Sequence, residues 1–537
     1  MPLHAGGKVL GLDAAALNAG QTRVELQDDV ASGDGYDRQL FKFVAEDKES
    51  FSIRPKLQES RGLTVQDGSY YNRANIVSQN YTGEIYQKWY LREISQPMTS
   101  SATYTSDGNY LASVTDTFGN TVSYGYNTTR GLLEWEQNPG DTANSRTTYS
   151  YNAASDKLES VSKQNGDLLH SNSYTYANDY LKTIMTGNGV TYTLNYDGFG
   201  NRASTLVGNQ VLSTNTYQAN NGMLSQSVYG NGDSINYVYD DKNRLVELKL
   251  DGETAAKYIY DKSGNTHKIQ DLESGVSYTN TYDLIGRLIT TEGSDGRTLS
   301  YEYDNLDRIS EVLSIFGGSA HRTGYVYGNA SKGEMPSRLY GVKIDGVQRT
   351  KNTFDALGRM TSREYLFGGT GGNFKTSYSY LSGENGNTTT ILGAIRYDYG
   401  TQSNGYRYEV DADQNITHIY RTLGSNEELL YRYKYDKMDQ LTHEFDYTNG
   451  EVTVNTYDAG GNILSRTTYG YDPQDGDAID TSAGNVIRSQ GYAYGDANWK
   501  DKLTAYTDAN GTTHTLTYDA IGNPTSYKGY TMTWEHG

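Results

Sequence analysis

Tyr282-Asp283-Leu284-Ile285-Gly286-Arg287 is the stretch that decides the fold, because variants of it recur along the chain. Two close copies start at Tyr260 and Tyr303, and a further one starts at Tyr239. These four tyrosines are 21, 22 and 21 residues apart. A fixed period near twenty is typical of repeat architectures, in which each unit buries its apolar face by stacking on its neighbours.

The repeated stretch predicts a β-hairpin. Before the aspartate, aromatic residues alternate with small polar ones, as at Tyr301 and Tyr303, and this period of two indicates a strand with one packed face. The aspartate side chain can accept nearby backbone N–H groups in a turn, and glycine supplies a positive φ. Asn243, Asp307 and Asp439 stand at the glycine position in imperfect copies, and Asn and Asp tolerate positive φ next best.

The residues predicted to hold these hairpins are the aromatic, aspartate, glycine and arginine positions of the clearest copies. They are Tyr196, Asp197, Gly200, Tyr239, Asp240, Tyr260, Asp261, Gly264, Tyr282, Asp283, Gly286, Arg287, Tyr303, Asp304, Arg308, Asp355, Gly358, Arg359, Tyr457, Asp458, Gly461, Tyr518, Asp519 and Gly522.

This array resembles the YD repeats of the Rhs family, which includes teneurins, bacterial wall-associated proteins and the C component of insecticidal toxin complexes. The resemblance covers roughly residues 100–537. It implies an all-β fold, in which a spiral array of hairpins forms a curved or hollow shell. In that family the shell commonly encloses a C-terminal toxin or other polymorphic domain, so the expected partners are the chain's own C-terminal core and toxin cargo.

The composition favours a thin, tyrosine-rich sheet and disfavours several classes of function. Apolar residues make up 35% of the chain, yet there are 51 tyrosines, whose rings pack while their hydroxyls stay wet. A net charge of −19 argues against binding to nucleic acid. The chain has no cysteine, and no apolar run approaches the ~20 residues of a membrane helix. No signal peptide is visible at the N-terminus.

The first 95 residues contain two segments that resemble each other. Their closing triplets, Gln39-Leu40-Phe41 and Gln87-Lys88-Trp89, are 48 residues apart and resemble the Gln-x-Trp triplet of ricin-type β-trefoil lectins. A trefoil has three such units, so we expect an incomplete one here and a chain that starts inside a domain.

Sugar binding by this region is a weaker expectation. The resemblance implies Asp13, Asp67, Tyr81 and Gln87 as candidate carbohydrate-binding residues. Both segments depart from the family's binding pattern, since Thr64 stands where a binding aspartate is expected. We therefore favour a scaffold role for this region over a specific sugar site.

The predicted domains are an incomplete trefoil over residues 1–95, degenerate repeats that open the array over 96–190, and the YD-repeat shell segment over 191–537. The phrase that ends in Trp534 and Gly537 resembles the one that leads into the conserved core of Rhs proteins. We therefore expect that core and its cargo to lie beyond this chain, which would be cut at both ends.

The sequence predicts no catalytic, cofactor-binding or metal-binding residue. Eight histidines are scattered, and the calcium-like phrase that starts at Asp411 has Ile416 and Thr422 where an EF-hand needs Gly and Glu. The acidic stretch 472–480 is expected to be an open, polar surface segment, because insertions in repeat proteins map to loops.

Three functions follow from these observations. The first is a non-enzymatic scaffold, part of a secreted or cell-surface bacterial protein that encapsulates a C-terminal toxin. The alternative is a cell-surface adhesin or carbohydrate-binding module led by the lectin-like N-terminus, with cell-wall or host glycans as partners. A glycan-processing enzyme is the remotest, because it needs a carboxylate pair in a cleft that the sequence does not reveal.

Overall fold

The computed structural model describes residues 97–329, 332–368 and 373–534. Within residues 1–96 it describes the backbone of seven strands and the side chain of Ile53. By its internal contacts the chain divides into two units. The first unit comprises residues 1–95, 301–314 and 321–366, and the second comprises 96–300, 315–320 and 367–537. The domain boundaries predicted from sequence stay predictions.

The first unit begins with a small antiparallel sheet in the strand order β1-β2-β3-β7-β6 and a separate β4-β5 pair. These strands are β1 (His4–Ala5), β2 (Lys8–Leu12), β3 (Thr22–Asp28), β4 (Phe41–Ala45), β5 (Phe51–Pro55), β6 (Arg61–Val65) and β7 (Ile76–Asn80). Asp13, Asp67, Tyr81 and Gln87, the candidate sugar-binding residues, lie outside the described residues. The incomplete trefoil therefore stays a prediction.

The hairpin array begins at residue 101, and its strands follow one another at short intervals. Up to residue 300 they are β8 (Ser101–Tyr104), β9 (Leu111–Thr115), β10 (Thr121–Asn127), β11 (Leu132–Gln137), β12 (Thr147–Tyr151), β13 (Leu158–Asn165), β14 (Leu168–Ala177), β15 (Tyr180–Met185), β16 (Thr191–Tyr196), β17 (Arg202–Val207), β18 (Gln210–Tyr217), β19 (Leu224–Tyr229), β20 (Ser234–Tyr239), β21 (Leu245–Leu250), β22 (Glu253–Tyr260), β23 (Thr266–Asp271), β24 (Ser277–Tyr282) and β25 (Leu288–Gly293).

The array continues to the end of the described chain. Its remaining strands are β26 (Thr298–Tyr303), β27 (Ile309–Phe316), β28 (Ser319–Tyr327), β29 (Leu339–Ile344), β30 (Val347–Phe354), β31 (Met360–Tyr365), β32 (Phe374–Ser382), β33 (Thr388–Tyr399), β34 (Gln402–Val410), β35 (Ile416–Leu423), β36 (Asn426–Tyr435), β37 (Leu441–Asp446), β38 (Glu451–Tyr457), β39 (Ile463–Gly470), β40 (Val486–Ala493), β41 (Ala505–Thr507), β42 (Thr513–Thr515), β43 (Thr517–Tyr518), β44 (Pro524–Tyr527) and β45 (Tyr530–Thr531). Single 3₁₀ turns occur at Glu384–Gly386, Pro473–Asp475 and Ala483–Asn485.

Each strand pairs antiparallel with its sequence neighbours. In the second unit this holds from β8 to β26 and again from β32 to β42, and β43–β45 form a small separate sheet. In the first unit the pairs β28-β29, β29-β30 and β30-β31 continue the same pattern. The predicted fold class is confirmed, because the chain is nearly all β and is built on a long antiparallel sheet. No helix long and apolar enough to span a membrane occurs among the described residues.

The strands have two kinds of end, which recur in the site described below. The turns 197–201, 240–244, 261–265 and 283–287 each follow an even-numbered strand, and we call this the aspartate end. The turns that follow odd-numbered strands lie at the opposite end, which we call the hairpin end, and the Asp116 turn after β9 is one of them. Only Leu516 separates β42 from β43, so the two count as one strand here and the Asp519 turn belongs to the aspartate end.

A β-bulge accompanies the repeat tyrosine in the copies whose strand pairing is described, and the sequence did not predict it. Thr281 pairs with Thr290, but Tyr282 pairs with Leu288, so Ile289 is the extra residue of the return strand. The same shift occurs beside Tyr196, Tyr239, Tyr260, Tyr435 and Tyr457. A bulge bends the strand and re-aims nearby side chains, so it sets the direction in which each tyrosine ring points.

The sheet is thin, as its composition indicated. Among the described residues the buried apolar side chains are few: Ile53, Val190, Val207, Ala255, Leu430, Phe445, Val452 and Tyr471. Phe445 and Val452 form the centre of the one apolar cluster found in the described part, with Tyr471 packed against them. Most of the stabilisation must therefore come from ladder pairing and half-buried aromatic rings.

The turn conformation predicted for the repeat is confirmed. Gly286 has φ +87°, and the non-glycine residues Asn243, Asp307 and Asp439 have φ between +57° and +61° at the equivalent position. A Cβ at Gly286 would meet only Asn265 Oδ1, 3.9 Å away, so space is available and the backbone conformation alone selects glycine.

Replacing Gly286 with valine should therefore lower the free energy of unfolding by about 1–3 kcal/mol, the usual cost of a strained φ. Gly286→Asn is the matched control and should cost distinctly less, because asparagine tolerates the left-handed region. Urea unfolding of both variants measures the difference. Equal losses for the two substitutions would contradict the turn assignment.

Candidate functional site in the aspartate turns

Each repeat aspartate holds its turn through both carboxylate oxygens. Asp283 Oδ1 accepts the backbone N–H groups of Ile285 at 3.0 Å and Arg287 at 2.9 Å. Its Oδ2 accepts Arg287 Nε at 2.6 Å. The turn is closed by the Asp283 N–H, which donates to the Arg287 carbonyl at 2.9 Å. The carboxylate thus satisfies turn donors that the strand ladder cannot reach.

The same arrangement recurs along the array, with arginine or asparagine as the side-chain donor four residues later. It is found at Asp116, Asp197, Asp240, Asp304, Asp355, Asp411, Asp458 and Asp519. These carboxylates therefore act first as structural acceptors.

The turns also lower the pKa of several of these carboxylates, and Asp283 and Asp240 show the cause. The backbone N–H of Arg287 is the main reason that the pKa of Asp283 lies below its ordinary value, and Arg244 has the same effect on the pKa of Asp240. Hydrogen bonds to the ionised form stabilise the charge, so both groups are ionised acceptors at neutral pH.

The tyrosine of each repeat is bonded to the repeat before it. Tyr282 OH donates to the Thr266 carbonyl at 2.8 Å, and Thr266 is the residue that follows the previous turn. The same bond joins Tyr260 to the Leu245 carbonyl at 2.7 Å. It also occurs at Tyr217, Tyr239, Tyr327, Tyr435, Tyr457 and Tyr518. The hydroxyl therefore couples neighbouring hairpins, which a phenylalanine could not do.

An asparagine two residues before the tyrosine shares this acceptor in several copies. Asn280 Nδ2 donates to the Thr266 carbonyl at 3.0 Å, alongside Tyr282. Asn455 and Tyr457 converge in the same way on the Leu441 carbonyl. Sequence reasoning missed this role, although the signal was present as a recurring Asn-Thr-aromatic triplet at 215–217, 280–282, 352–354 and 455–457.

Arginine adds a second link between repeats. Arg244, which is paired with Asp240, lies 4.4 Å from the ring centroid of Tyr260 in the next repeat. Arg308, paired with Asp304, lies 4.0 Å from the ring centroid of Tyr327. Such cation–π contacts favour arginine over asparagine where the next aromatic ring is within reach.

Within the second unit, two layers of the sheet meet end to end. The first layer contains β9–β20 and presents its hairpin ends, and the second contains β32–β44 and presents its aspartate ends. Glu384 N donates to the Thr117 carbonyl at 2.9 Å, and Gly140 N donates to Asp413 Oδ1 at 3.4 Å. We call this contact zone the layer junction.

The junction has a constant spacing. The turn between β9 and β10 meets the one between β32 and β33, an offset of 23 strands, and the β11-β12 loop meets the β34-β35 turn at the same offset. The offset is again 23 for β13-β14 on β36-β37 and for β15-β16 on β38-β39. The junction is therefore periodic over these four contacts.

Asparagine donors on one layer meet aspartate acceptors on the other. Asn165 Nδ2 donates to Asp436 Oδ2 at 2.9 Å, and Asn231 Nδ2 donates to Asp519 Oδ2 at 3.2 Å. Asn188 Nδ2 donates to Asp501 in the same manner. The repeat aspartates thus stabilise their own turns, and in the second layer Asp436 and Asp519 also accept hydrogen bonds from the first layer.

Charge at the junction is partly buried. Lys163 Nζ lies 3.0 Å from Asp141 Oδ2, and the two side chains are 11% and 3% exposed. Burial, with smaller contributions from nearby carboxylates, raises the pKa of Asp413 above its ordinary value. Lys437 Nζ donates to the Gly140 carbonyl across the junction.

A cavity of about 470 Å³ lies at the junction and is lined mainly by polar residues, including Lys163, His170, Asp501 and Asn462. Asp501 Oδ1 already accepts Asn188 and Asn462, and Lys163 pairs with Asp141. The Asp501 carboxylate is thus engaged between the layers and the Lys163 ammonium is paired within the first layer, whereas His170 Nε2 in the same lining is buried without a hydrogen-bond partner.

The acidic stretch 472–480 is an exposed polar loop, as the sequence indicated, and a few side-chain contacts anchor it to the sheet. Tyr471 is buried against Phe445, and Asp477 pairs with Arg432 and with Lys434, whose Nζ lies 3.1 Å away. Asp472 and Asp480 accept the backbone N–H groups of Gln474 and Ser482, and the side chain of Asp475 lies outside the described residues. Within the described ranges, no three His, Asp or Glu side chains converge as a metal ion would require.

The comparison with protein families gives one match, to the family described as RHS Repeat, over residues 282–318. The chain carries an RHS repeat. The matched residues include the Tyr282 phrase and the next copy, and the resemblance seen in the sequence is supported to that extent. The finer lectin-like assignment of residues 1–95 is not shown by this match.

Curated relatives extend the likeness beyond the RHS repeat itself. The chain is 28% identical over 373 residues to the tRNA nuclease WapA of Bacillus subtilis, which covers 65% of this chain and 14% of the relative. It is 24% identical over 304 residues to Teneurin-4 of Mus musculus, which covers 53% of this chain and 10% of that protein. The chain thus spans about a seventh or less of these relatives, and together the matches support the Rhs/YD-repeat family.

Among solved structures, the TcdB2-TccC3 complex without its hypervariable C-terminal region resembles the chain with a TM-score of 0.43. The sequences are 11% identical, and the match covers 88% of this chain and 36% of that one.

The tyrosine link in the RHS repeat can be tested at Tyr282. We expect Tyr282→Phe to lower the free energy of unfolding by about 0.5–1.5 kcal/mol, the typical net value of one hydrogen bond. The loss should fall near the lower limit, because Asn280 still satisfies the Thr266 carbonyl.

Combining Tyr282→Phe with Asn280→Ala should cost more than the two single losses added together, because only then does the carbonyl lose both partners. Phe354→Tyr, at the equivalent position of another copy, is the control and should not destabilise. Strict additivity in the urea-unfolding cycle would argue against a shared acceptor.

The layer junction can be tested with one methyl group. A Cβ at Gly187 would lie 2.3 Å from the Ala459 carbonyl oxygen of the other layer, so Gly187→Ala must push the layers apart. We expect a loss of about 1–3 kcal/mol, as for other overpacked sites.

Gly198→Ala is the matched control, because a Cβ there meets nothing within 4 Å and Gly198 does not have a positive φ. It should be neutral or stabilising by up to about 1 kcal/mol. The two variants are compared by thermal and urea unfolding, and equal behaviour would show that the layers do not touch at Gly187.

Proposed function

We propose that this chain is a non-enzymatic scaffold, a segment of a secreted or cell-surface bacterial Rhs protein. Its sheet encloses a C-terminal toxin or polymorphic domain carried on residues outside this chain. The cargo and the core that anchors it are the partners of the scaffold, and the chain itself performs no chemistry on them.

The layer junction is the observation that carries this proposal. Asp436 and Asp519 hold their own turns and at the same time accept Asn165 and Asn231 of the other layer. A repeat whose turns also serve as layer contacts can extend one continuous wall as further copies are added. A wall of this kind separates two spaces, which is what an enclosing scaffold requires.

The use of the polar side chains supports a structural role. The repeat carboxylates accept turn amides, the arginines pair with them and cover the next ring, and the tyrosine hydroxyls bond to backbone carbonyls. These side chains of the repeat are thereby committed to the sheet. The tRNA nuclease among the relatives is a far longer protein, and the match covers 14% of it, which is consistent with a toxin domain on other residues.

Protease protection of the natural full-length protein tests the proposal. The C-terminal region beyond this chain should resist a non-specific protease while the sheet is intact. Gly187→Ala should make that region sensitive, because it forces the layers apart, whereas Gly198→Ala should leave it protected. Mass spectrometry of the digests identifies which region is cut.

Two results would overturn the proposal. One is a C-terminal region that is cut at the same rate with and without residues 97–534. The other is turnover by the purified chain on a glycan, peptide or nucleic acid that disappears when one carboxylate is changed.

A further inference from the structure

The cavity at the layer junction is lined by side chains of both layers. Lys163 and His170, which are paired on β13 and β14, line it on the first-layer side, and Met438 and Asn462 line it on the second-layer side. Its volume of about 470 Å³ lies within the ~300–1,000 Å³ of small-molecule sites and far exceeds the ~30 Å³ share of one water molecule. The cavity is therefore large enough for a ligand that contacts both layers.

His170 is the residue of this lining whose presence the sheet does not explain. It is 8% exposed, and its Nε2 atom has no hydrogen-bond partner among the described residues. An imidazole Nε2 either donates or accepts a hydrogen bond, and a buried polar atom without a partner costs free energy. A histidine that served the sheet alone would be expected to have a protein partner at this atom, so the missing partner is expected inside the cavity.

The other polar groups of the lining are mainly hydroxyls and amides. Ser162 Oγ and Ser171 Oγ lie 2.8 Å apart, and the hydrogen bond between them uses one of their two O–H groups. Thr147 and Asn172 add a hydroxyl and an amide, and Met438 adds apolar surface. Such a lining suits a molecule that carries several hydroxyls on a small carbon frame.

The charges around the cavity disfavour an ionic ligand. Lys163 is paired with Asp141 at 3.0 Å, and Asp501 is a further carboxylate, so these three groups leave one negative charge that repels an anion. Asp501 Oδ1 already accepts Asn188 and Asn462. Within the described part of the chain, no three His, Asp or Glu side chains converge as a metal ion would require. A neutral ligand remains, and hydroxyl groups can serve both the donors and the acceptors of this lining.

We propose that the junction cavity binds a neutral polyhydroxylated small molecule, a monosaccharide or a cyclic polyol, with a hydrogen bond between His170 Nε2 and one of its hydroxyls. The ligand contacts β13 and β14 of the first layer and the turns at Met438 and Asn462 of the second layer. Its binding therefore stabilises the junction, because the site exists only while the layers are together. This site is separate from residues 1–95, where the sequence raised sugar binding, and it does not depend on an enclosed cargo.

Ligand-observed NMR of the full chain tests the proposal with D-glucose and myo-inositol as probes, from about 0.1 mM to about 10 mM, which covers millimolar affinities. We expect saturable binding of at least one probe, and inorganic phosphate should not displace it. Maltotriose, measured beside glucose, separates two sources of a sugar. Equal affinity identifies the end of a glycan chain, and lost affinity identifies a free sugar. Absence of saturable binding, or displacement by phosphate, overturns the proposal.

His170→Phe keeps a ring at the same place and removes Nε2. Because this atom has no protein partner, the variant should unfold at the same or a higher temperature than the parent when no probe is present. It should bind the probe roughly twofold to tenfold more weakly, the usual net value of one hydrogen bond. His321→Phe is the matched control, because its side chain is 66% exposed and lies outside the cavity lining, and it should bind as the parent does.

Sugars also stabilise proteins without binding, by exclusion from the surface, so the deciding quantity is the difference in affinity between these two variants. Equal affinity of the parent and His170→Phe would mean that the probe binds elsewhere, and it overturns the proposal. If His170→Phe does not fold, Ser171→Ala gives the same test, since it removes one hydroxyl of the lining and should weaken binding by a similar factor. Unchanged affinity in that variant likewise overturns the proposal, and none of these results bears on the scaffold function.

Discussion

The hydrogen bond from each tyrosine to the carbonyl just past the previous turn is the interaction on which the array depends. A single hairpin is at best marginally stable in water, and this sheet has few fully buried apolar side chains to compensate. Tyr260 and Tyr282 each tie their own turn to the strand that leaves the preceding one. The bulge beside the tyrosine directs the ring toward that carbonyl, and where arginine is present its guanidinium covers the ring.

The parts of this repeat that were predicted from sequence are local ones. The positive φ at Gly286, and at Asn243 in its place, follows from the steric demands of a single turn residue. The strand before each aspartate follows from an alternation that spans six residues. The bulge at Ile289 was not predicted, because a bulge adds one residue without a distinctive residue type. The Asn280 link was visible as a triplet, but its meaning depends on a carbonyl 14 residues earlier.

The stretch 472–480 shows what composition leaves out when the partners of a loop are distant. Four aspartates within nine residues indicate an open loop, and the loop is indeed exposed. Composition does not show that Asp477 pairs with Arg432 or that Tyr471, just before the loop, packs on Phe445. Ile479 also packs against this cluster, which is the best buried part of the described sheet. The loop is held by side chains 26 to 45 positions earlier, and no local pattern could reveal them.

The layer junction could not be predicted from sequence either, because its partners are distant in the chain. Its chemistry nevertheless explains one irregularity of the repeat. In most repeats, Oδ2 of the aspartate accepts a hydrogen bond from the arginine or asparagine four residues later. At Asp436 the residue four positions later is Gln440, and Oδ2 accepts from Asn165 of the other layer instead. Asn165, Asn188 and Asn231 reach carboxylates across the junction as neutral donors, whereas Lys437 reaches a backbone carbonyl. A neutral donor avoids the cost of desolvating a lysine or arginine between layers, and the carboxylate keeps the charge that its turn amides already stabilise. Asparagine therefore suits these hairpin turns for two reasons. It tolerates turn conformations, and it donates a hydrogen bond to a carboxylate nearly 300 positions away.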